Sequence, residues 1–158
     1  MTALSGVTVA TAADAETLHI GPDTIHLLLD ASQTHGAISA HRVQLHPGGA
    51  EAGPHHHTRS SELFYVVSGA IDVLTGDHVR TAAEGDLVLV PPDVTHAFAA
   101  ASGASGELLV IVTPGIERFE FFRQLERVFR GECELAEFMS DQPKYDTYPA
   151  ESTAWSNR

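Results

Sequence analysis

The sequence predicts an all-β fold, an antiparallel sandwich or small barrel, followed by a C-terminal helical extension. Three observations predict it. Short runs rich in Val, Leu, Ile and Phe recur along the chain, separated by turns containing Gly, Pro and Asp, as in small antiparallel sandwiches and barrels. Only one stretch, beyond residue 115, carries a strong helical apolar period. Finally, a histidine- and glutamate-rich run lies where strands are expected to begin, the placement of a site built inside a barrel. With 158 residues the chain is one domain, long enough to bury a core.

Residues 1–17 are small and Ala/Thr-rich and read as an N-terminal arm. The barrel is expected over 18–114, with strands near 24–29, 39–46, 63–67, 70–74, 78–81, 87–90, 96–99 and 107–113. Asp77 after Gly76 and Asp86 after Gly85 mark tight turns. Alternation along 62–67 places Glu62, Phe64 and Val66 inside and Leu63, Tyr65 and Val67 outside. The outward set is also apolar, and Leu87, Val88, Leu89 and Val90 have no polar face, so the strand at 87–90 is expected to be buried on both sides. Either the C-terminal helix or a second subunit must cover that face. A homodimer is the expectation.

Residues 115–158 form the extension. A helix is predicted over 116–130, stopped by Gly131, with the apolar stripe Phe121, Phe122, Leu125, Val128 and Phe129 and with Phe119 at its edge. The stripe docks the helix on the sandwich or, alternatively, lets it gate a cavity mouth.

Nine Lys and Arg against 21 Asp and Glu leave a net charge of −12. Such a surface repels phosphate backbones, so nucleic acid and anionic membranes are not expected partners. No apolar run approaches the length of a membrane span, and no secretory leader is recognisable, so a cytoplasmic protein is expected. The single Cys133 has no disulfide partner and sits among Glu132, Glu134 and Glu137, which disfavour a reactive thiolate.

The chemistry lies in His55, His57, Glu62 and His96. Neutral imidazoles with one carboxylate suit a transition metal and leave positions open for water or substrate. In an extended segment His55 and His57 share a face while His56 points away. Glu62 lies at an odd offset, so the polar residues 58–61 must bend for its carboxylate to reach the same interior. The other histidines, His19, His26, His35, His41, His46 and His78, read as ordinary surface or core residues.

These residues stand in a recognisable frame. Gly49, five residues, His55-x-His57, four residues, Glu62, six residues and Gly69 form one block; Gly85, five residues, Pro91, then Asp93 and His96 form a second. From about residue 38 to 113 the chain resembles the cupin superfamily, whose two motifs these match. Asp93 replaces a glycine of the second motif and Ala100 an asparagine. The first change is mild, because Asp tolerates left-handed turns. The resemblance implies a cupin β-sandwich or small barrel, a double-stranded β-helix of jelly-roll type. It also implies one divalent transition metal per chain, Fe, Ni, Mn or Zn, held by His55, His57, Glu62 and His96. The Thr113-Pro114-Gly115 turn, the Phe121-Phe122 helix and the segment from Tyr145-Asp146 to Trp155 further resemble single-domain bacterial quercetinase-like cupins.

The function expected is a mononuclear-metal enzyme acting on a small aromatic or enolic substrate, foremost a quercetinase-like dioxygenase with Glu62 as the proton-accepting catalytic residue. The alternatives are a redox-neutral polyketide cyclase or isomerase, and a non-enzymatic small-molecule-binding cupin. Val43, Leu45, Phe64, Val66 and Phe98 are expected to line the substrate pocket, which suits an aromatic ligand.

Overall fold

A computed structural model describes residues 6–158. Residues 6–15 carry no helix or strand, and the expected arm at 1–5 lies outside the described residues. The first strand, β1 (Glu16–Ile20), already includes the last two residues assigned to the arm. There follow β2 (Asp23–Leu29), β3 (Ser39–Leu45), β4 (Ala52–His56), β5 (Ser61–Thr75), β6 (His78–Ala83), β7 (Leu87–Val90), β8 (His96–Ala100) and β9 (Gly106–Thr113). The extension comprises α1 (Phe119–Phe129), α2 (Leu135–Asp141), β10 (Tyr148–Pro149) and α3 (Thr153–Ser156). No helix among the described residues is long and apolar enough to cross a membrane.

All pairings are antiparallel, in the order β1-β2-β3-β9-β5-β8-β4-β10, with β6 and β7 also on β5. The organising element is β5. The runs expected at 63–67 and 70–74 are one 15-residue strand, not two. Its first part, Ser61 to Gly69, pairs with β9, and residues 62–65 also with β7; its second part pairs with β6 and β8. The strand bends between the two, where its register slips between Val66 and Ser68. Gly69 sits at φ +71°, and a β-carbon there would lie 2.0 Å from the carbonyl oxygen of Ser105. Only glycine fits that bend. One strand thus joins both halves of the curled sheet, so a residue early on β5 and a residue on β8 face each other across the interior.

Alternation fills that interior. Glu62, Phe64 and Val66 point in, and on β9 Leu108, Val110 and Val112 are wholly buried beside them. Phe64 packs edge-on to Phe98 at 5.1 Å between ring centres. Truncating a buried phenylalanine of this kind costs about 3–5 kcal/mol.

The outer face departs from expectation. Leu87 and Leu89 are 62% and 61% exposed, and Tyr65 and Val67 are exposed beside them. The strand at 87–90 is therefore buried on one side only. The reason is topological: α1 packs on β1 and across the open end of the barrel, so within the described chain nothing lies over the outer side of β5 and β7. Phe121 and Phe122 of α1 are buried as the stripe requires, Leu125 and Val128 pack against the same cluster, and Phe129 remains half exposed.

Candidate metal centre

The centre is assembled at the edge where β4 faces β8. His55 and His96 are directly opposed partners in that pairing. His57 follows the end of β4, and the alternation holds: His56 turns outward and stacks on Tyr148 of β10, at 5.4 Å and 21° between ring planes. The bend at 58–60 that brings Glu62 back is tied down from the C-terminal tail. The Asp146 carboxylate accepts hydrogen bonds from Thr58 N (3.1 Å), Thr58 Oγ1 (2.6 Å) and Arg59 N (3.0 Å), and Ser60 Oγ donates to the carbonyl of Pro114 (2.7 Å). Asp146 and Asp93 both adopt left-handed backbone, as expected where Asp93 stands in place of glycine.

One potential donor atom from each of His55, His57, Glu62 and His96 lies within 4.8 Å of all the others. His57, Glu62 and His96 are almost fully buried, and His55 is half-buried. Every imidazole is oriented the same way. The Nδ1 atoms of His55, His57 and His96 donate to the backbone carbonyls of Gly53 (2.7 Å), Asp146 (2.6 Å) and Val94 (2.9 Å). That leaves three Nε2 atoms as the available donors, the arrangement in which an outer hydrogen bond sets tautomer and ring angle for a metal ligand. Nε2 of His57 and of His96 stand 3.2 and 2.7 Å from Glu62 Oε2. With Nδ1 carrying the ring proton, two nitrogen lone pairs and a carboxylate oxygen would repel one another unless a cation sits among them. These residues therefore fit a transition metal.

Protonation favours the same conclusion. Burial, reinforced by the neighbouring His96, lowers the His55 pKa to about 3, so it is neutral at ordinary pH. Burial alone would raise the Glu62 carboxyl, but its pairing with the His57 and His96 rings outweighs this and holds it well below the usual range; a cation seated among them would take the place of the ring protons in that pairing. A neutral imidazole and an ionised carboxylate are the states that bind metal.

A cavity of about 310 Å³ opens from this cluster, with His55 and Glu62 in its wall. Of the residues expected in the substrate pocket, Val43, Leu45 and Phe98 line this cavity. Phe64 and Val66 do not: both are completely buried, and Phe64 backs His96 at 6.0 Å from behind the cavity wall. Further apolar wall comes from α1, through Phe121, Phe122 and Leu125, so the stripe that docks the helix also walls the cavity.

Four residues of the site escaped sequence reasoning. His41, grouped with the ordinary histidines, lines the cavity against Phe122 (4.4 Å). Its signal was present, since it shares the inward face of β3 with Val43 and Leu45. Arg118 also lines the cavity, and no local pattern announces it. Asp146 organises the bend at 58–60 from far along the chain. Asp23, buried at the start of β2, also lines the cavity.

Comparison with known proteins agrees with this architecture. The family model described as the cupin domain matches residues 41–112. No curated protein matches the sequence. Among solved structures, an RmlC-like cupin from Shewanella frigidimarina is 24% identical, covering 73% of this chain and 96% of that one with a TM-score of 0.58. The polyketide cyclase RemF from Streptomyces resistomycificus is 15% identical, covering 78% and 98%, with a TM-score of 0.57. Pac13 from Streptomyces, a nucleoside dehydratase seen with uridine, is 22% identical, covering 72% and 86%, with a TM-score of 0.55. The chain has the cupin fold, and its residues 41–112 match the cupin-domain family model.

Proposed function

We propose that this protein is a mononuclear metalloenzyme acting on a small aromatic or enolic substrate, and that the reaction is a quercetinase-like dioxygenation. The observation that carries the reading is the His55, His57, Glu62 and His96 cluster opening onto an aromatic-walled cavity. The finer assignment is supported by the tail: the 145–155 segment that carries the quercetinase-like resemblance lies on the site, through Asp146 at His57 and Thr58. His55, His57, Glu62 and His96 would hold a divalent transition metal, which when bound would supply Lewis acidity toward a substrate oxygen and, if redox-active, activation of dioxygen.

The chain supplies the rest. Glu62, ionised and in the cavity wall, accepts the proton of an approaching enol or phenol at its carboxylate. Phe98, Phe121 and Phe122 hold a flat ring and exclude water. The test combines elemental analysis of protein purified without a histidine tag with dioxygen uptake on a panel of flavonols and other phenols. One dioxygen consumed per substrate, and no turnover under anaerobic conditions, supports the reading.

A redox-neutral cyclase or isomerase is the second reading, supported by the fold shared with a polyketide cyclase and a nucleoside dehydratase. It requires a product with the elemental composition of the substrate, or differing by water, and no dependence on oxygen. Stoichiometric ligand binding without any product would instead assign a sensor.

A further inference from the structure

Among the described residues, Arg118 is the one charged group in the cavity wall whose side chain makes no hydrogen bond. Its backbone is fixed, since the amides of Arg118 and Phe119 donate to the Asp30 carboxylate at 2.7 and 3.1 Å. Its side chain lies over the rings of Phe121 (5.1 Å) and Phe122 (5.6 Å), and the residue is 5% exposed. Nε and Nη1 are buried with no hydrogen-bond partner among the described residues. Asp23, the other charged residue of that wall with a buried unpartnered atom, differs in kind. Its Oδ1 already accepts from the backbone N of His46 at 2.8 Å and faces His46 Nδ1 at 3.3 Å. A guanidinium stays charged when buried, and a buried cation without a hydrogen-bonded counter-charge is costly. A ligand that completes it recovers that cost.

We propose that Arg118 anchors a carboxylate on the ligand of this cavity, so that the substrate class is an aromatic carboxylic acid or a compound with an equally planar anionic group. The fork of a single guanidinium matches two coplanar oxygens. The Phe121 and Phe122 rings that hold the fork also form the wall for an attached aromatic body. Glu62 in the same cavity adds negative charge, which selects against ligands carrying several anionic groups. The inference rests on the metalloenzyme reading for the role of the opposite wall, but its test measures binding and not turnover.

The experiment is titration calorimetry of the purified, metal-loaded protein with naphthalene-2-carboxylate and, in parallel, naphthalene-2-carboxamide, with metal content measured on each sample. The acid is expected to bind about ten- to a hundredfold more tightly than the amide, the range for a hydrogen-bonded charged group. Arg118→Met, which fills the same space without a buried charge, brings that ratio close to one while metal content stays at the wild-type level. Arg118→Lys keeps a charge without the fork and gives an intermediate ratio; should Arg118→Met not fold, a ratio unchanged in Arg118→Lys overturns the assignment. Wild-type protein that binds neither compound, or both equally, overturns it as well, as does a preference that survives in Arg118→Met, which would make the metal the anchor. Loss of the metal site would appear in the metal analysis of wild-type protein, separately from any of these ratios.

Discussion

His57 takes its orientation from a residue 89 positions away: its Nδ1 donates to the backbone carbonyl of Asp146 at 2.6 Å, while the Asp146 carboxylate holds the two residues that follow His57. The side chain of Asp146 has no exposure. Burial opposes its ionisation, but the hydrogen bonds from Thr58 and Arg59 prevail and keep its carboxyl below the usual carboxylate range. The C-terminal tail is therefore part of the candidate metal centre although it offers no ligand.

Asp146→Ala should lower metal affinity about ten- to a hundredfold, the usual effect of removing a group that orients a ligand. Asp146→Asn, which tolerates the same left-handed backbone and can still accept hydrogen bonds, should lose less. Competition with a chromophoric chelator measures both. Unchanged affinity in Asp146→Ala would show that His57 keeps its angle without the tail.

Replacing His55, His57 or His96 by Ala should remove most of the bound metal, read by elemental analysis. Full metal content in all three variants would place the site elsewhere.

Glu62→Gln preserves shape and one oxygen donor but cannot accept a proton. If Glu62 is the base, turnover of the substrate falls about 10²- to 10⁴-fold with substrate still bound. Full activity with full metal content would make the carboxylate a spectator.

His41 gives a pH signature. Burial, and secondarily the charge of Arg118, lower its pKa from 6.5 to about 3, with Glu62 opposing. The unfolded chain therefore takes up a proton near pH 6.5 that the folded chain refuses until about pH 3. The stability from this residue is complete above pH 6.5 and is lost as pH falls toward 3, with a slope of at most about 1.4 kcal/mol per pH unit. Urea unfolding of chelator-treated wild type and His41→Phe between pH 7 and 4.5 should show a shallower decline in the variant. Parallel declines would show that His41 is protonated in the folded protein.

The bare apolar face leads to a statement about assembly. The half-buried Leu63 pairs with the exposed Leu89, and the exposed Tyr65 with the exposed Leu87, across β5 and β7, so these side chains form one continuous apolar patch. We propose that a second copy of the chain covers it, since patches of this kind mark contact surfaces and two-fold pairing is the commonest solution. Light scattering should give a dimer at micromolar concentration and a monomer for the double variant Leu87→Lys, Leu89→Lys. A wild-type monomer contradicts the proposal.

The four metal-site residues were legible because their pattern is local: two alternating histidines, a bend, a glutamate, and a histidine opening the strand that pairs back. The strands with clean alternation, such as β3 and β9, were legible for the same reason. By contrast β4 contains Gly53, Pro54 and two histidines and is only half-buried along its length, so its strand character comes from pairing with β8 and β10 and not from its own composition. The break read at Ser68 and Gly69 was a bend within one strand, because a glycine at positive φ serves either purpose. Arg118 and Asp146 act across 56 and 84 positions from Glu62, and no spacing rule reaches that far. His41 was the avoidable omission, being in phase with two residues already placed in the pocket.

The opposition of His55 and His96 has a mechanical meaning. The two lie 41 positions apart in a chain whose only cysteine can form no internal disulfide. A cation bound by both would tie β4 to β8 as a reversible staple, and because it would bind the folded barrel and not the open chain it would stabilise the fold by mass action, by about 2.7 kcal/mol at a free concentration 100 times Kd. Metal supply would then set how long the folded barrel resists heat and proteases, quite apart from any chemistry at the site.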